Sequence, residues 1–344
     1  MGRRAFDAIV GADSSAYKHD LLMALSYYRR IFRAYLVPGK SQLGFWHDSA
    51  EPNLRAAIHS LGEYYMTFAE KAAYAGPRDE QGIPLLDYCG NIGPQYNPIA
   101  VAQWGLGNYN LFKRTGSAEA YGSFRNASDW LCEQLEQTSR GVHVWKHHFD
   151  WEYRQTLKAP WYSGLAQGQG ISLLVRAHAE TAEHKYLNSA SLAFCAFLSN
   201  AASGGVNFQD ADGNTWFEEY IVSPPTHILN GFIWAAWGVY DYFLATGSRE
   251  AMNLFCAAVK TLQANLHRYD LGFWSRYELS DTLLPMIASP FYHRLHVTQL
   301  RVMHRITSEP VFEHFANRWQ AYAGSKSNRT RAFLYKGAFK LCYY

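Results

Sequence analysis

The sequence predicts a mainly α fold, an (α/α) toroid or an incomplete α/α barrel with short β-hairpins at its cleft end. Three observations carry that expectation. Apolar residues recur at helical spacing along most of the chain. Short, breaker-rich loops join the helical stretches, which makes neighbouring helices antiparallel. Brief alternating segments with strand-type side chains interrupt them. No composition shift divides the chain, so residues 96–325 read as one α/α unit, with an N-terminal helical extension over 1–95 and a basic, aromatic tail over 326–344.

A first amphipathic helix is expected from Tyr17 to Tyr35, through Leu21, Leu25, Tyr28 and Phe32, ended by Pro38-Gly39. A second is expected from about Asn53 to Ala73, with Leu54, Ile58, Leu61, Tyr64, Tyr65 and Phe68 on its apolar face. Gly90, Gly93, Pro94 and Pro98 make the following stretch a loop. Helices then run from Ile99 to Phe112 and from Ala118 to Leu135, with Gly116-Ser117 as the break. Val142, Val144 and Trp145 alternate with His143 and Lys146, a short strand. His143, His147 and His148 lack the His-Glu-x-x-His pattern and have no Cys nearby, so no metal is expected there. Small residues from Ser163 to Gly170 open a helix that can approach another backbone closely, leaving Gln167 and Gln169 to project into the space left open. Further helices are expected at His184–Leu198, about Thr226–Thr246, Arg249–Tyr269, Phe291–Ile306 and Pro310–Ala323, and a second hairpin around Gly272.

The remaining arithmetic excludes several classes. With 344 residues, 48% of them hydrophobic, the chain is globular. A net charge of +3 is too mild for nucleic acid, and no run approaches a membrane span. Five widely spaced cysteines, Cys89, Cys132, Cys195, Cys256 and Cys342, read as core thiols in a reducing compartment, and without an apolar leader the chain reads as cytoplasmic. Aromatic residues make up 16%, and Tyr and Trp stack on sugar faces while offering a polar handle.

The stretch that organises these hints runs from Trp216 to Asn230. Strand-type residues lead to Pro224-Pro225, which cannot continue a ladder, and Thr226 is placed to cap the next helix. Glu218, Glu219, Tyr220 and Asn230 therefore gather at one strand-to-helix junction, which is rigid enough to aim side chains. The glycines near Gly168 fit neither a phosphate loop nor a dinucleotide fingerprint, so no cofactor is expected.

From about Asn97 to Ser325 the chain resembles the D-glucuronyl C5-epimerases of glycosaminoglycan synthesis. The resemblance lies in Pro98 to Leu106, Ala127 to Leu131, Trp161 to Arg176, Glu218-Glu219-Tyr220, Leu229 to Phe232, Tyr292-His293 with His296, Gln299-Leu300, and Glu309 to Phe312. Only Gly107 to Asn126 separates two motifs between which animal members carry a β-sandwich, so the chain resembles a compact, bacterial-type member without the calcium site of that segment. Ser280 stands where the family carries an arginine expected to meet the sugar carboxylate; Arg276 and Arg294 are the candidate substitutes.

The resemblance implies inversion at C5 of D-glucuronate in a heparosan-like polysaccharide. That reaction needs two proton-transfer groups across the ring and stabilisation of an enolate. Tyr292 is the expected group on one face and Tyr220 or Glu219 on the other, with Tyr277 orienting the sugar or stabilising the enolate. Gln103 and Asn230 carry over as substrate contacts, joined by Trp161 and Gln167 from the Trp-Tyr-Ser run. The partner is a uronate-containing polymer; a homodimer is compatible with the reading. A polysaccharide lyase or glycosidase, and a non-enzymatic glycan-binding module, are the alternatives of other classes.

Overall fold

A computed structural model describes residues 44–47, 49–88, 92–153 and 156–343; the helix expected at Tyr17–Tyr35 lies outside them. Its main body consists of four α/α pairs. An inner helix leads each pair: α2 (Pro98–Thr115), α4 (Gly164–Thr181), α6 (Leu229–Thr246) and α8 (Pro290–Thr307). The outer partners are α3 (Ala118–Glu133), α5 (His184–Leu198), α7 (Arg249–Asn265) and α9 (Pro310–Gly324). A single turn, α1 (Ala69–Ala72), precedes them, and α10 (Lys326–Tyr343) follows. Each inner helix packs on its own outer partner, and α4 lies between α2 and α6. This is the mainly helical, toroid-like arrangement that the periodicity predicted.

Burial explains the contrast in sequence between the two layers. The inner helices α4 and α6 have neighbours all round, so they are buried over long unbroken runs, Gly164 to Ala177 and Leu229 to Asp241. Only apolar, small or hydrogen-bonded polar residues tolerate that position. Gly168 of α4 and Gly238 of α6 are where the two backbones meet: a Cβ on Gly238 would lie 2.2 Å from the carbonyl oxygen of Gly168. Outer helices bury a stripe and expose the rest, as in α7 with Phe255, Val259 and Leu262 inward.

One turn is used four times. All four inner helices are 18 residues long and end in threonine: Thr115, Thr181, Thr246 and Thr307. Each threonine hydroxyl donates to the carbonyl four residues earlier, at 2.7–2.8 Å, and accepts from the backbone N–H two residues later, at 3.1–3.3 Å. The residue between adopts the left-handed conformation: Gly116, Ala182, Gly247 and Ser308, at φ 70°, 58°, 69° and 60°. Such an end satisfies terminal carbonyls and reverses the chain in two residues.

At the opposite end lie the small strands. β1 (Leu86–Asp87) pairs with β2 (Pro94–Gln95); β3 (Leu135–Gln137), β4 (His143–His147) and β5 (Trp161–Tyr162) form an antiparallel sheet; β6 (Asn207–Gln209) pairs with β7 (Thr215–Phe217). The expected second hairpin is reduced to single bridges, Asp270 to Ser275 and Arg276 to Ile287.

Three expectations are corrected. Asn53–Ala73 is not a helix beyond α1: Tyr64, Tyr65 and Met66 are buried consecutively while Leu54 is exposed, a pattern that no helix face produces. The backbone of this stretch instead bonds to side chains of four inner helices, namely Asn110, Arg176, Tyr240 and Arg305. Thr226 does not cap α6; residues 226–229 pair with the segment 277–279, so the helix starts at Leu229. Of the cysteines, Cys195, Cys256 and Cys342 are exposed and Cys132 half-buried, on the outward stripes of peripheral helices rather than in the core; Cys89 lies outside the described residues.

Among the polar groups inside, Arg176 and Asp241 form a pair with no exposed surface at 2.7 Å, completed by the Tyr65 hydroxyl donating to Asp241 at 2.7 Å and by Arg176 donating to the Gly62 carbonyl at 2.8 Å. It ties α4 to α6 and residues 62–65 to both.

Candidate active site

The first turns of all four inner helices open onto one cavity. Asn97, Ile99 and Gln103 line it from α2 and its cap, Leu165 from α4, Asn230 and Trp234 from α6, and Phe291, Tyr292 and Leu295 from α8. Helix N-termini carry partial positive charge, so four of them around one space favour an anion there. The free volume is ≈ 780 Å³ with its open mouth included. Aromatic side chains line it as well: Trp46, Tyr88, Phe149, Trp151 and Trp161. Trp161 is stacked on the buried His147 at 3.7 Å and donates its indole N–H to the Phe149 carbonyl at 2.8 Å, which fixes its plane.

The two adjacent glutamates after β7 separate. Glu218 turns into the structure, accepting from the backbone N–H of His227 at 3.1 Å and meeting its Nδ1 at 2.5 Å. These contacts hold His227 at φ 49°, a left-handed conformation that costs a non-glycine residue energy. Glu219 turns into the cavity, buried, with the Asn230 amide donating to it at 3.3 Å. Two glycines of the sequence motifs make room for this chain segment. A Cβ on Gly164 would lie 2.6 Å from the Glu218 carbonyl oxygen, and one on Gly231 would lie 2.2 Å from Glu219 Oε2.

Burial raises the Glu219 carboxyl from its ordinary 4.5 to about 8, and the negative charges of Glu278 and Glu218 add to the effect. Tyr220 and Tyr292 line the same wall; burial and the Glu219 charge push both phenols well above their ordinary value. Tyr277 lies behind Tyr292, ring to ring at 5.0 Å, and does not itself line the cavity. Tyr153, whose ring meets Tyr220 at 4.8 Å, donates to the buried Glu278. At neutral pH this wall holds neutral phenols and a carboxyl group that is mostly protonated.

Of the residues singled out from sequence, Glu219, Tyr220, Tyr292, Gln103, Asn230 and Trp161 are brought together. Gln167 is not among the lining residues. Its amide accepts from the backbone of Trp145 and donates to the carbonyls of His143 and Ala193, so it pins β4 and α5 to α4. Gln169 likewise stays inside, accepting from Gln103 at 3.0 Å. Arg276 donates to the Ser280 carbonyl at 3.4 Å away from the cavity, and Arg294 lies exposed on α8; neither lines the site. His293 and His296 stand behind the wall on Ser275, at 2.8 and 3.0 Å, fixing α8 against the segment that carries Tyr277.

Sequence reasoning missed Lys71, Asn97, Tyr88, Trp151 and Trp234. Asn97 caps α2 and donates to the Tyr88 hydroxyl at 2.7 Å; the Asn-Pro pair at a helix start was the available signal. Nothing in the local pattern marks Lys71. Among the described residues no group of three His, Cys, Asp or Glu side chains is placed to hold a metal ion.

A profile of the family described as "D-glucuronyl C5-epimerase C-terminus" matches residues 139–321, which hold Glu219, Tyr220, Tyr277 and Tyr292. The chain belongs to this family. A D-glucuronyl C5-epimerase of Caenorhabditis elegans is 33% identical over 219 residues, 59% of this chain and 35% of that protein. An uncharacterised protein of Methanocaldococcus jannaschii is 28% identical over 180 residues, 52% of this chain and 57% of that one. This family member thus spans about a third of the first relative and just over half of the second. A crystal structure of D-mannose isomerase shares its fold, with a TM-score of 0.51 at 10% identity, covering 74% of this chain and 68% of that one. Between the Gln103 and Asp129 motifs of this family member, residues 107–126 simply complete α2 and begin α3.

Proposed function

We propose that this protein inverts C5 of a D-glucuronate residue within a heparosan-like polysaccharide. One observation carries the reading: Glu219, Tyr220 and Tyr292 line a single cavity with several aromatic side chains, and burial holds the Glu219 carboxyl at about 8. A group near neutrality takes and gives protons with the least penalty, so Glu219 is the base and its neighbours the acids. The C5–H bond breaks and its proton passes to the Glu219 carboxylate. The electron pair spreads into the sugar carboxylate as an enediolate. Tyr292 returns a proton to C5 from the other face, becoming phenolate, and Glu219 then gives up its proton so that the phenol is restored through Tyr220 or solvent. Tyr220 and the helix N-termini stabilise the dianion. Tyr277 supports the Tyr292 ring.

The test is incubation of the protein with unsulfated GlcA-GlcNAc polymer in deuterated water, followed by proton NMR of carbon 5. Deuterium at C5 together with iduronate signals is the expected result. Unsaturated product would instead mean that the O4 group is expelled and that the protein is a lyase. Absence of both would overturn the reading.

A further inference from the structure

We propose that Glu218 is a positioning residue for the reaction: through His227 it clasps the two arms of chain that carry Glu219 and Asn230, and so fixes where the Glu219 carboxyl stands in the cavity. The inference deepens the reading above and rests on it for the part that Glu219 plays. The chain leaves β7 at Phe217, passes Glu218 and Glu219, swings out through the exposed Ser223 and Pro224, and returns through His227 to Asn230 in the first turn of α6. Among the described residues no backbone hydrogen bond joins the outgoing arm, 218–220, to the returning arm, 226–230. Side-chain hydrogen bonds join them instead. Asn230 donates to Glu219 at 3.3 Å, while Glu218 accepts from the backbone N–H of His227 at 3.1 Å and meets its Nδ1 at 2.5 Å. The first contact is long and single and the second is close and double, so the second sets the separation of the arms.

Each half of the clasp is held from behind. Glu218 donates its backbone N–H to the Val206 carbonyl at 2.9 Å, and its own carbonyl accepts from the Gly164 N–H of α4 at 2.8 Å. The His227 ring is stacked on Trp216 of β7, with 4.2 Å between centroids, and the His227 carbonyl accepts from the buried Tyr269 hydroxyl at 2.5 Å. Adjacent side chains at a strand end diverge, so fixing Glu218 fixes the direction of Glu219. The backbone adds a second observation. His227 sits at φ 49°, where glycine is at ease and other residues are strained, yet the side chain present is one whose imidazole reaches both Glu218 and Trp216. Glu218 is buried and is not among the residues lining the cavity, so it acts on the sugar only through its neighbour.

The experiment compares the parent with Glu218→Ala, which opens the clasp, and with Glu218→Gln, whose amide oxygen still accepts from the His227 N–H. Two quantities are read. One is kcat and KM for C5 deuterium exchange on the GlcA-GlcNAc polymer, each protein at its own pH optimum because Glu218 also lends charge to Glu219. The other is the NMR signal of the isotope-labelled Asn230 side-chain amide, identified by its absence from Asn230→Asp, which reports the bond to Glu219. In Glu218→Ala, kcat is expected to fall about 10²-fold with KM within about threefold of the parent, and the Asn230 signal to move to the position of a free carboxamide. Glu218→Gln is expected to stay close to the parent in both. Should Glu218→Ala fail to fold by circular dichroism, His227→Gly, which deletes the imidazole and takes the left-handed backbone without strain, replaces it with the same expectation. A folded variant with the clasp opened that keeps the parent's kcat or its Asn230 signal overturns the proposal, as does a Glu218→Gln protein as impaired as Glu218→Ala. A parent that does not exchange C5, while the Asn230 signal responds as expected, sinks the catalytic reading alone; one that exchanges C5 while that signal stays fixed in the opened variant sinks the role of Glu218 alone.

Discussion

Replacing Glu219 by glutamine should remove a pH-dependent burden from the fold. In the unfolded chain this carboxyl ionises around its ordinary 4.5, whereas in the folded protein burial beside Glu278 and Glu218 holds it protonated up to about 8. Between those values the folded state binds the extra proton, so stability is fully present below 4.5 and is lost as pH rises through 8. The shift of 8 − 4.5 units, at 1.36 kcal/mol each, is a penalty of about 5 kcal/mol once the group is fully ionised. From pH 5.5 to pH 8.5 the penalty grows by about 3 kcal/mol. Glutamine matches the shape of the neutral acid, keeps an acceptor for Asn230 and does not titrate. Guanidinium unfolding of parent and Glu219→Gln, followed by tryptophan fluorescence at both pH values, isolates the contribution of Glu219, because all other groups titrate in both proteins and cancel. The variant should gain about 3 kcal/mol on the parent over that interval while losing epimerisation at both pH values. Stability differences that stay constant with pH would show that Glu219 ionises as an ordinary carboxylate, and the case for it as a base near neutrality would go with them.

Other outcomes are expected from the same geometry. Tyr292→Phe should fold like the parent and lose roughly 10² to 10⁴ in C5 exchange; a folded variant within about threefold of the parent would remove Tyr292 from the reaction. Gly231→Ala places a methyl 2.2 Å from Glu219 Oε2, so the carboxyl must move, and turnover should fall about 10²-fold in the exchange assay; an unchanged rate would mean that the carboxyl's position is not critical. Asp241→Asn leaves Arg176 buried without its counter-charge and should cost about 3–5 kcal/mol in denaturant unfolding, against under 1 kcal/mol if the pair is dispensable.

The helices of the α/α body were legible because their signals are local. His184–Leu198 and the start of Ala118–Glu133 fall where period and breakers place them. Segment 50–68 was misread because its order is imposed from outside: side chains of Asn110, Arg176, Tyr240 and Arg305 satisfy its backbone, and a window of neighbouring residues carries no trace of them. The same reason hid Lys71, whose place depends on Gly107 of a different helix. Glu219, Tyr220, Tyr292 and Asn230 were found through motifs, yet Gln167, from an equally distinctive motif, serves β4 instead of the cavity. A motif marks a position as constrained without saying by what. The fourfold repeat of Thr115, Thr181, Thr246 and Thr307 was present in the sequence and went unread, because the repeated unit is one threonine and its turn within some sixty residues of dissimilar chain.

That repeat has a practical side. Because the four inner helices have equal length, the cavity lies at their N-terminal ends and the four left-handed turns lie at the other, with Gly116, Ala182, Gly247 and Ser308 all exposed. These turns are places where foreign sequence can be spliced in, new termini opened or a surface tether attached without obstructing the mouth of the cavity. Immobilised through Gly116 or Gly247, every molecule would present its open mouth away from the support.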